Sequence, residues 1–72
     1  MDRLSLSQMT TYLDHVSKYL GYSTNERIGQ AHFNVLYKLH PELANQIRAT
    51  DKDPFYKDER LADFMEEISD FT

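Results

Sequence analysis

The fold is decided by residues 25–39, which read NERIGQAHFNVLYKL. Apolar side chains recur in this stretch at steps of three and four residues, which places one set on a single face of a helix: Ile28, Ala31, Val35, Leu36 and Leu39. Phe33 and Tyr37 lie four residues apart and extend the apolar cover to a second side. Because a helix with two apolar sides needs neighbours on both, we expect this segment to be the centre of a helical bundle.

Three further segments show helical spacing of apolar side chains and flank the central one. No segment alternates β-branched and polar residues, and no Asn-Gly or Asp-Gly hairpin signal occurs, so no strand is expected. The sequence therefore predicts an all-α fold, a small bundle of three to four helices in a single domain of residues 1–72. The expected helices span about residues 6–20, 24–39, 41–49 and 58–70.

Capping chemistry predicts where these helices begin and end. Ser5 and Gln8 are spaced as a capping box at the start of the first helix, and residues 23–26 (STNE) form a second box before the central helix. Gly21 is expected to end the first helix in the left-handed conformation. Asp58 is expected to cap the fourth helix.

The composition limits the possible classes of protein. The chain has 72 residues, of which 40% are apolar and 28% charged, and it has no cysteine. Disulfide scaffolds, thiolate zinc sites and cysteine nucleophiles are therefore excluded. No apolar run approaches the roughly 20 residues of a membrane-spanning helix, and no signal peptide is recognisable. The sequence predicts a soluble, cytoplasmic protein.

No constellation of catalytic or metal-binding residues stands out. His15, His32 and His40 do not have the i, i+4 spacing of a helical metal pair. The chain also has no nucleophile elbow and no glycine-rich phosphate loop. We therefore expect no enzyme activity, no metal site and no cofactor.

Gly29 is an unfavourable residue in the middle of the central helix, because glycine there costs about 1 kcal/mol relative to alanine. The close packing of another backbone is the simplest compensation. Gln30, the next residue, is expected to bond a facing turn, for which residues 53–56 are a candidate. Arg27 would then pair with a carboxylate nearby. A binding site at Gly29 is the alternative explanation.

Four short motifs in the middle of the chain form a recognisable pattern. They are RIGQAHFN at residues 27–34, HPELA at 40–44, IRAT at 47–50 and DPFY at 53–56. The pattern resembles small helical proteins encoded by bacteriophages and prophages. This resemblance implies a phage-encoded protein that acts in the cytoplasm of a bacterial host cell, and it implies no particular activity.

The net charge of −4 arises in the second half of the chain. Residues 1–36 hold three basic and three acidic side chains, whereas residues 37–72 hold five basic and nine acidic ones. Six of these nine carboxylates lie between Asp58 and Asp70, and Arg60 is the one basic residue in that range. This charge is typical either of a solvated helix face or of a surface that binds a basic partner.

The leading hypothesis is a non-catalytic protein–protein interaction module that binds or inhibits a bacterial host protein and also forms a homodimer. A small core and an excess of aromatic side chains favour it, since aromatic residues are enriched at binding hot spots. The expected interface anchors are Tyr12, Tyr19, Tyr22, Phe33, Tyr37 and Tyr56, and the homodimer is expected to pack through the first five of them.

The alternative hypothesis is an acidic mimic of nucleic acid. In this case the fourth helix would block a basic DNA- or RNA-binding channel of a host defence protein such as a CRISPR effector. Direct binding of nucleic acid is not expected, because Lys38, Arg48 and Lys52 are too scattered to form a basic recognition face. The carboxylates assigned to the mimic are Glu59, Asp63, Glu66 and Asp70.

Overall fold

A computed structural model of the chain describes residues 3–22 and 25–70. Its helices are α1 (Leu6–Tyr22), α2 (Ile28–Leu39), α3 (Pro41–Ile47) and α4 (Leu61–Ile68), with a 3₁₀ turn at Asp58–Arg60 leading into α4. The predicted all-α class and small helical bundle are confirmed. Extended pairing within the described ranges is limited to one parallel β-bridge, between Leu4 and Ser69. None of the helices in these ranges has both the length and the hydropathy needed to cross a membrane.

Helix α2 occupies the centre of the bundle, as the sequence predicts. It packs against α1, α3 and the 3₁₀ turn. Ala31, Val35 and Leu36 of the predicted stripe are buried, and Phe33 on the second side is buried as well. Ile28 is expected in the same stripe but is 45% exposed, and it is the first residue of α2.

The N-terminal capping box of α1 is confirmed. The backbone N–H of Ser5 donates to Gln8 Oε1 at 2.8 Å, and the N–H of Gln8 donates to Ser5 Oγ at 3.2 Å. Just before the box, Leu4 is buried and joins the chain's two ends. Its N–H donates to the carbonyl of Ile68 at 2.7 Å, and its carbonyl accepts from the N–H of Asp70 at 2.9 Å.

The predicted junction between α1 and α2 is wrong in two respects. Gly21 does not end α1, which continues through Tyr22, and Gly21 has no positive φ. Helix α2 begins at Ile28 rather than at residue 24, because the carboxylate expected in the second capping box, that of Glu26, accepts a hydrogen bond from Tyr19 instead. Ser23 and Thr24, the first half of that box, lie outside the described residues.

The ends of α3 and α4 also differ from the prediction. Helix α3 stops at Ile47, two residues early, because Arg48 leaves the helical conformation with ψ of 131° and Ala49 follows with a left-handed φ of 64°. Helix α4 stops at Ile68 because Ser69 is extended and pairs with Leu4. Phe71, which the spacing of the fourth helix places in its apolar stripe, lies outside the described residues.

Candidate functional site

A turn formed by residues 53–58 packs against the N-terminal end of α2 at Gly29. A Cβ atom at Gly29 would overlap the carbonyl oxygen of Pro54 and would lie 2.8 Å from Asp58 Oδ1. The backbone N–H of Gly29 donates to the same Asp58 oxygen at 3.0 Å. The glycine is therefore required by the close approach of another backbone, as the structural explanation of this residue predicts.

Asp58 caps a different helix from the one predicted. It was expected to cap the fourth helix, but its carboxylate accepts from Gly29 in the first turn of α2, where Arg27 supplies no side-chain cap. Arg27 completes the contact: its Nε lies 3.9 Å from Asp58 Oδ1, and its terminal NH2 group donates to the carbonyl of Phe55. The turn is thus fixed to the start of α2 by three polar contacts, one from Gly29 and two from Arg27.

Asp53 fixes the other end of the same turn. It is only 7% exposed, and its Oδ2 accepts from the N–H of Ala49 at 2.7 Å while its Oδ1 accepts from the N–H of Phe55 at 2.9 Å. Both carboxylate oxygens are therefore used by backbone donors. This Asp-centred geometry reverses the chain after α3 and brings Phe55 back towards α2.

Between this turn and α2 lies a cavity of about 560 Å³, which we call the aromatic groove. Its volume is in the range of about 300 to 1,000 Å³ that is typical of ligand sites. Helix α2, the residue that follows α3 and the 53–58 turn each contribute to its walls. The lining residues are Phe33, Asn34, Tyr37, Arg48, Asp53, Phe55 and Tyr56.

Edge-to-face ring contacts hold the walls of the groove in place. The Phe33 and Phe55 ring centroids are 5.8 Å apart with an interplanar angle of 88°, and the Phe55 and Tyr56 centroids are 4.8 Å apart at 68°. Phe33 is buried, whereas Tyr37 is 45% and Tyr56 is 76% exposed. Two tyrosine side chains are therefore presented to solvent on a base of packed phenylalanines.

Arg48 contributes the positive charge of the groove. Its Cζ atom lies 5.7 Å from the centroid of the Phe33 ring and 5.1 Å from that of Tyr37. Within residues 3–22 and 25–70, no carboxylate forms a salt bridge with Arg48. The guanidinium is positioned by aromatic faces alone, which leaves its N–H donors available.

A polar cluster adjoins the groove at Asn34. The Tyr19 hydroxyl donates to Glu26 Oε2 at 2.7 Å, and the Asn34 amide nitrogen donates to the same oxygen at 3.3 Å. The hydrogen bond to Glu26 is the main reason why the pKa of Tyr19 is raised. Tyr19, one of the predicted anchors, is therefore half-buried and engaged within its own chain.

Tyr12 is not a surface anchor, and that part of the prediction is wrong. It is fully buried, because it lies on the face of α1 that carries Met9 and Val16 into the core. Its hydroxyl lies 2.6 Å from His32 Nδ1 and 3.2 Å from the His32 carbonyl oxygen. Burial raises the pKa of Tyr12 and lowers that of His32, so both side chains are neutral near pH 7.

The other predicted anchors divide into two groups. Phe33, Tyr37 and Tyr56 meet in the aromatic groove, with Phe33 as a buried wall rather than an exposed anchor. Tyr22 is 90% exposed and does not line the groove. The sequence therefore indicated three of the groove residues but did not indicate that they meet.

Arg48 and Phe55 were missed as members of a binding site. The sequence analysis counts Arg48 among scattered basic residues and does not include Phe55 among the interface anchors. No periodic pattern connects either of them to α2, because Arg48 is placed by the packing of α3 against α2 and Phe55 by the turn at Ala49 and Asp53. The available signal was the Asp-Pro pair at residues 53–54, which marks a chain reversal after an arginine.

The acidic side chains around α4 form a separate surface. Glu67 is the partly buried member, and its Oε2 accepts from Lys52 Nζ at 2.8 Å while its Oε1 lies 3.9 Å from Arg3. The hydrogen bond between Lys52 and Glu67 raises the pKa of the lysine and lowers that of the glutamate. The four carboxylates assigned to the nucleic-acid mimic are exposed and make no salt bridge within the described ranges: Glu59, Asp63, Glu66 and Asp70.

Comparison of the chain with protein-family models, with curated proteins and with solved structures gives no match. The part of the chain that the structure describes also holds no group of three or more His, Asp or Glu side chains close enough to share a metal ion. Function is therefore inferred from the chemistry of the two surfaces, the aromatic groove and the exposed carboxylates.

Proposed function

We propose that this chain is a non-catalytic protein-binding module, encoded by a phage, that binds or inhibits a bacterial host protein through the aromatic groove. The observation that carries the proposal is the grouping of two exposed tyrosines, Tyr37 and Tyr56, with Arg48 around one cavity. Tyrosine and arginine are enriched at binding hot spots. The phage and host context rests on the motif resemblance within residues 27–56.

The rigidity of the groove supports this function. Asp53, Gly29 and Arg27 fix the turn that carries Tyr56 through backbone hydrogen bonds. A partner that binds a wall held in place loses less conformational entropy than one that must order a loose segment. The groove is therefore suited to capture a partner without a large rearrangement.

The test compares tyrosine variants inside and outside the groove. Tagged wild-type protein, Y37A, Y56A and Y22A are used to capture proteins from a bacterial lysate, and the affinity of the purified partner is measured by calorimetry. Tyr22 is the matched control, since it is the same residue type, highly exposed and absent from the groove. We expect Y37A and Y56A to raise Kd about tenfold or more and Y22A to leave it nearly unchanged. Equal losses in all three variants, or none in Y37A and Y56A, would show that the groove is not the binding site.

Self-association is a separable part of the proposal. Leu6 and Leu13 of α1 are 64% and 42% exposed, and their spacing of seven residues places them on nearly the same side of the helix. This apolar stripe lies outside the groove and supports a homodimer. Sedimentation velocity should show a dimer that the L13K variant abolishes. A monomer at high micromolar concentration would remove this part and leave the groove proposal intact.

The nucleic-acid mimic remains the second candidate, favoured by the exposure of Glu59, Asp63, Glu66 and Asp70. Glu59, Asp63 and Glu66 are four and three residues apart, so they follow one side of the 3₁₀ turn and α4. Under this alternative, partner binding weakens steeply as salt is raised, and the quadruple variant E59Q/D63N/E66Q/D70N loses it. Groove variants would then bind normally. Unchanged binding by the quadruple variant would exclude the mimic.

A further inference from the structure

We propose that the aromatic groove binds an acidic segment of the partner protein, with a carboxylate of that segment on Arg48 and a neighbouring large apolar side chain between Tyr37 and Tyr56. This inference rests on the proposed function and names the chemistry that the groove selects.

The guanidinium of Arg48 is held in position by aromatic rings, but within the described residues its N–H groups have no oxygen acceptor. The faces of Phe33 and Tyr37 hold its guanidinium at 5.7 Å and 5.1 Å, but aromatic faces do not accept the strong hydrogen bonds that a guanidinium donates to oxyanions. Stacking restricts the rotamers of a long side chain before any partner arrives, which lowers the entropy cost of binding. The exposed fork of N–H donors matches a carboxylate, which an arginine can hold with two parallel hydrogen bonds.

Asp53 is the one carboxylate in the lining of the groove, and it does not compete for Arg48. Both of its oxygens already accept backbone hydrogen bonds, from Ala49 and from Phe55, and the side chain is buried. Turning this carboxylate towards the guanidinium would leave two backbone donors without partners. An incoming carboxylate therefore meets an arginine that has no counterion within residues 3–22 and 25–70.

The local charge favours an acidic partner at this place, although the chain as a whole carries −4. Residues 27–57, which include every residue of the groove, hold five basic and three acidic side chains. Residues 58–70 hold six acidic side chains and one basic one. An acidic segment is thus attracted to the groove and repelled from the surface around α4. This repulsion also favours an approach of the segment from the side of the groove that faces away from α4.

Two features favour a carboxylate over a phosphate as the charged group. Phosphate carries nearly two negative charges and is usually recognised by a cluster of arginines, whereas Arg48 is the one basic residue that lines the groove. The remaining lining is aromatic, so the rest of the recognised segment has to be apolar. The combination predicts Asp or Glu within one or two residues of Leu, Phe or a similar side chain.

The experiment selects peptides on the intact protein and then measures them individually. A random library of short peptides displayed on filamentous phage is panned against the wild-type protein, with depletion on R48Q. Selected peptides are synthesised and their Kd is measured by fluorescence polarisation against wild type, R48Q and Y22A. Circular dichroism verifies that R48Q retains the helical spectrum, which is expected because Arg48 is exposed and forms no salt bridge in the described part of the chain.

We expect the selected peptides to share a carboxylate next to a large apolar residue. R48Q should raise their Kd about tenfold, and so should Asp→Asn or Glu→Gln in the peptide. The two changes combined should cost little more than either alone, because they remove the same interaction. Y22A should bind like wild type.

Several results would overturn the inference. These are the absence of any peptide enriched on wild type over R48Q, enriched peptides without a carboxylate, additive effects of the two changes, and a requirement for phosphotyrosine in place of Asp or Glu. Its failure can be distinguished from failure of the proposed function. Host-protein capture that depends on Tyr56 but not on Arg48 keeps the function and removes the acidic segment, whereas capture that depends on neither removes both.

Discussion

Replacement of Gly29 by alanine tests the packing of the 53–58 turn against α2. In an open helical position this change stabilises a protein by about 1 kcal/mol, because alanine is the better helix former. At Gly29 the new Cβ would overlap the Pro54 carbonyl oxygen and would lie 3.2 Å from the Pro54 carbonyl carbon. Both of these atoms are backbone atoms, so they cannot move aside by a change of rotamer.

The net effect is therefore expected to be destabilising. Inserting a methyl group into a well-packed position costs about 1 to 3 kcal/mol. Displacement of the turn would also weaken the charged hydrogen bond between the Gly29 N–H and Asp58, worth about 1.5 to 3 kcal/mol. After the gain in helix propensity is subtracted, G29A should lower the free energy of unfolding by about 1 to 3 kcal/mol. For a domain of this size that corresponds to a fall in Tm of roughly 5 to 20 °C.

Gly21 provides the matched control. It is also a helical glycine without a positive φ, but within the described residues no heavy atom beyond its chain neighbours and its own helix backbone lies within 4 Å of a Cβ built on it. G21A should therefore raise the free energy of unfolding by about 0.5 to 1 kcal/mol. Thermal and urea unfolding of both variants, followed by circular dichroism, measure the difference. If G29A were as stabilising as G21A, the docking of the turn on α2 described above would be refuted.

Three further predictions concern stability. A49G should raise the free energy of unfolding by about 0.5 to 1 kcal/mol, since the left-handed φ of 64° strains alanine and not glycine; an unchanged urea midpoint would contradict this. Y12F should lower the free energy of unfolding by about 1 to 3 kcal/mol, because it leaves His32 Nδ1 buried without its partner, and a loss below 0.5 kcal/mol in urea titrations would count against that hydrogen bond. Burial lowers the pKa of His32 below 6.5, so as the pH falls below about 6.5 the unfolded chain takes up a proton that the folded chain does not. The free energy of unfolding should therefore fall by up to about 1.4 kcal/mol per pH unit until the pKa of the folded state is reached. Equal urea midpoints at pH 7.5 and 5.5 would exclude this effect.

Features that depend on a few neighbouring residues could be predicted from the sequence. The capping box of Ser5 and Gln8 forms within one turn of helix, and the buried stripe of α2 follows from helical spacing. Gly21 and Gly29 show that the local sequence does not predict the tertiary contacts of a helical glycine. Both are glycines in helical segments, and only the tertiary contact with Pro54 and Asp58 shows why one of them cannot become alanine.

The candidate site was less predictable because it is built from contacts that are distant along the chain. Sequence reasoning placed Tyr12 at the surface, although its spacing from Met9 and Val16 is also that of a core residue. Asp58 has the residue type of a helix cap, but which helix it caps is decided by the folding back of the turn. Arg48 meets the Tyr37 ring because α3 packs back against α2, and Phe55 joins them only after the turn at Ala49 and Asp53; no local pattern encodes these contacts.

Two residues that depart from local sequence rules, Gly29 and Ala49, help to position one wall of the aromatic groove. Gly29 weakens a helix and Ala49 adopts a conformation that alanine disfavours, yet the first admits the turn against α2 and the second returns the chain towards it. Glycine at position 49 would remove the strain of the left-handed conformation, whereas alanine at position 29 would overlap the Pro54 carbonyl oxygen. Both departures from local propensity are offset by tertiary contacts, since the Gly29 N–H donates to Asp58 and the Ala49 N–H donates to Asp53. Gly29 and Ala49 thus both serve the docking of the 53–58 turn, which forms one wall of the aromatic groove.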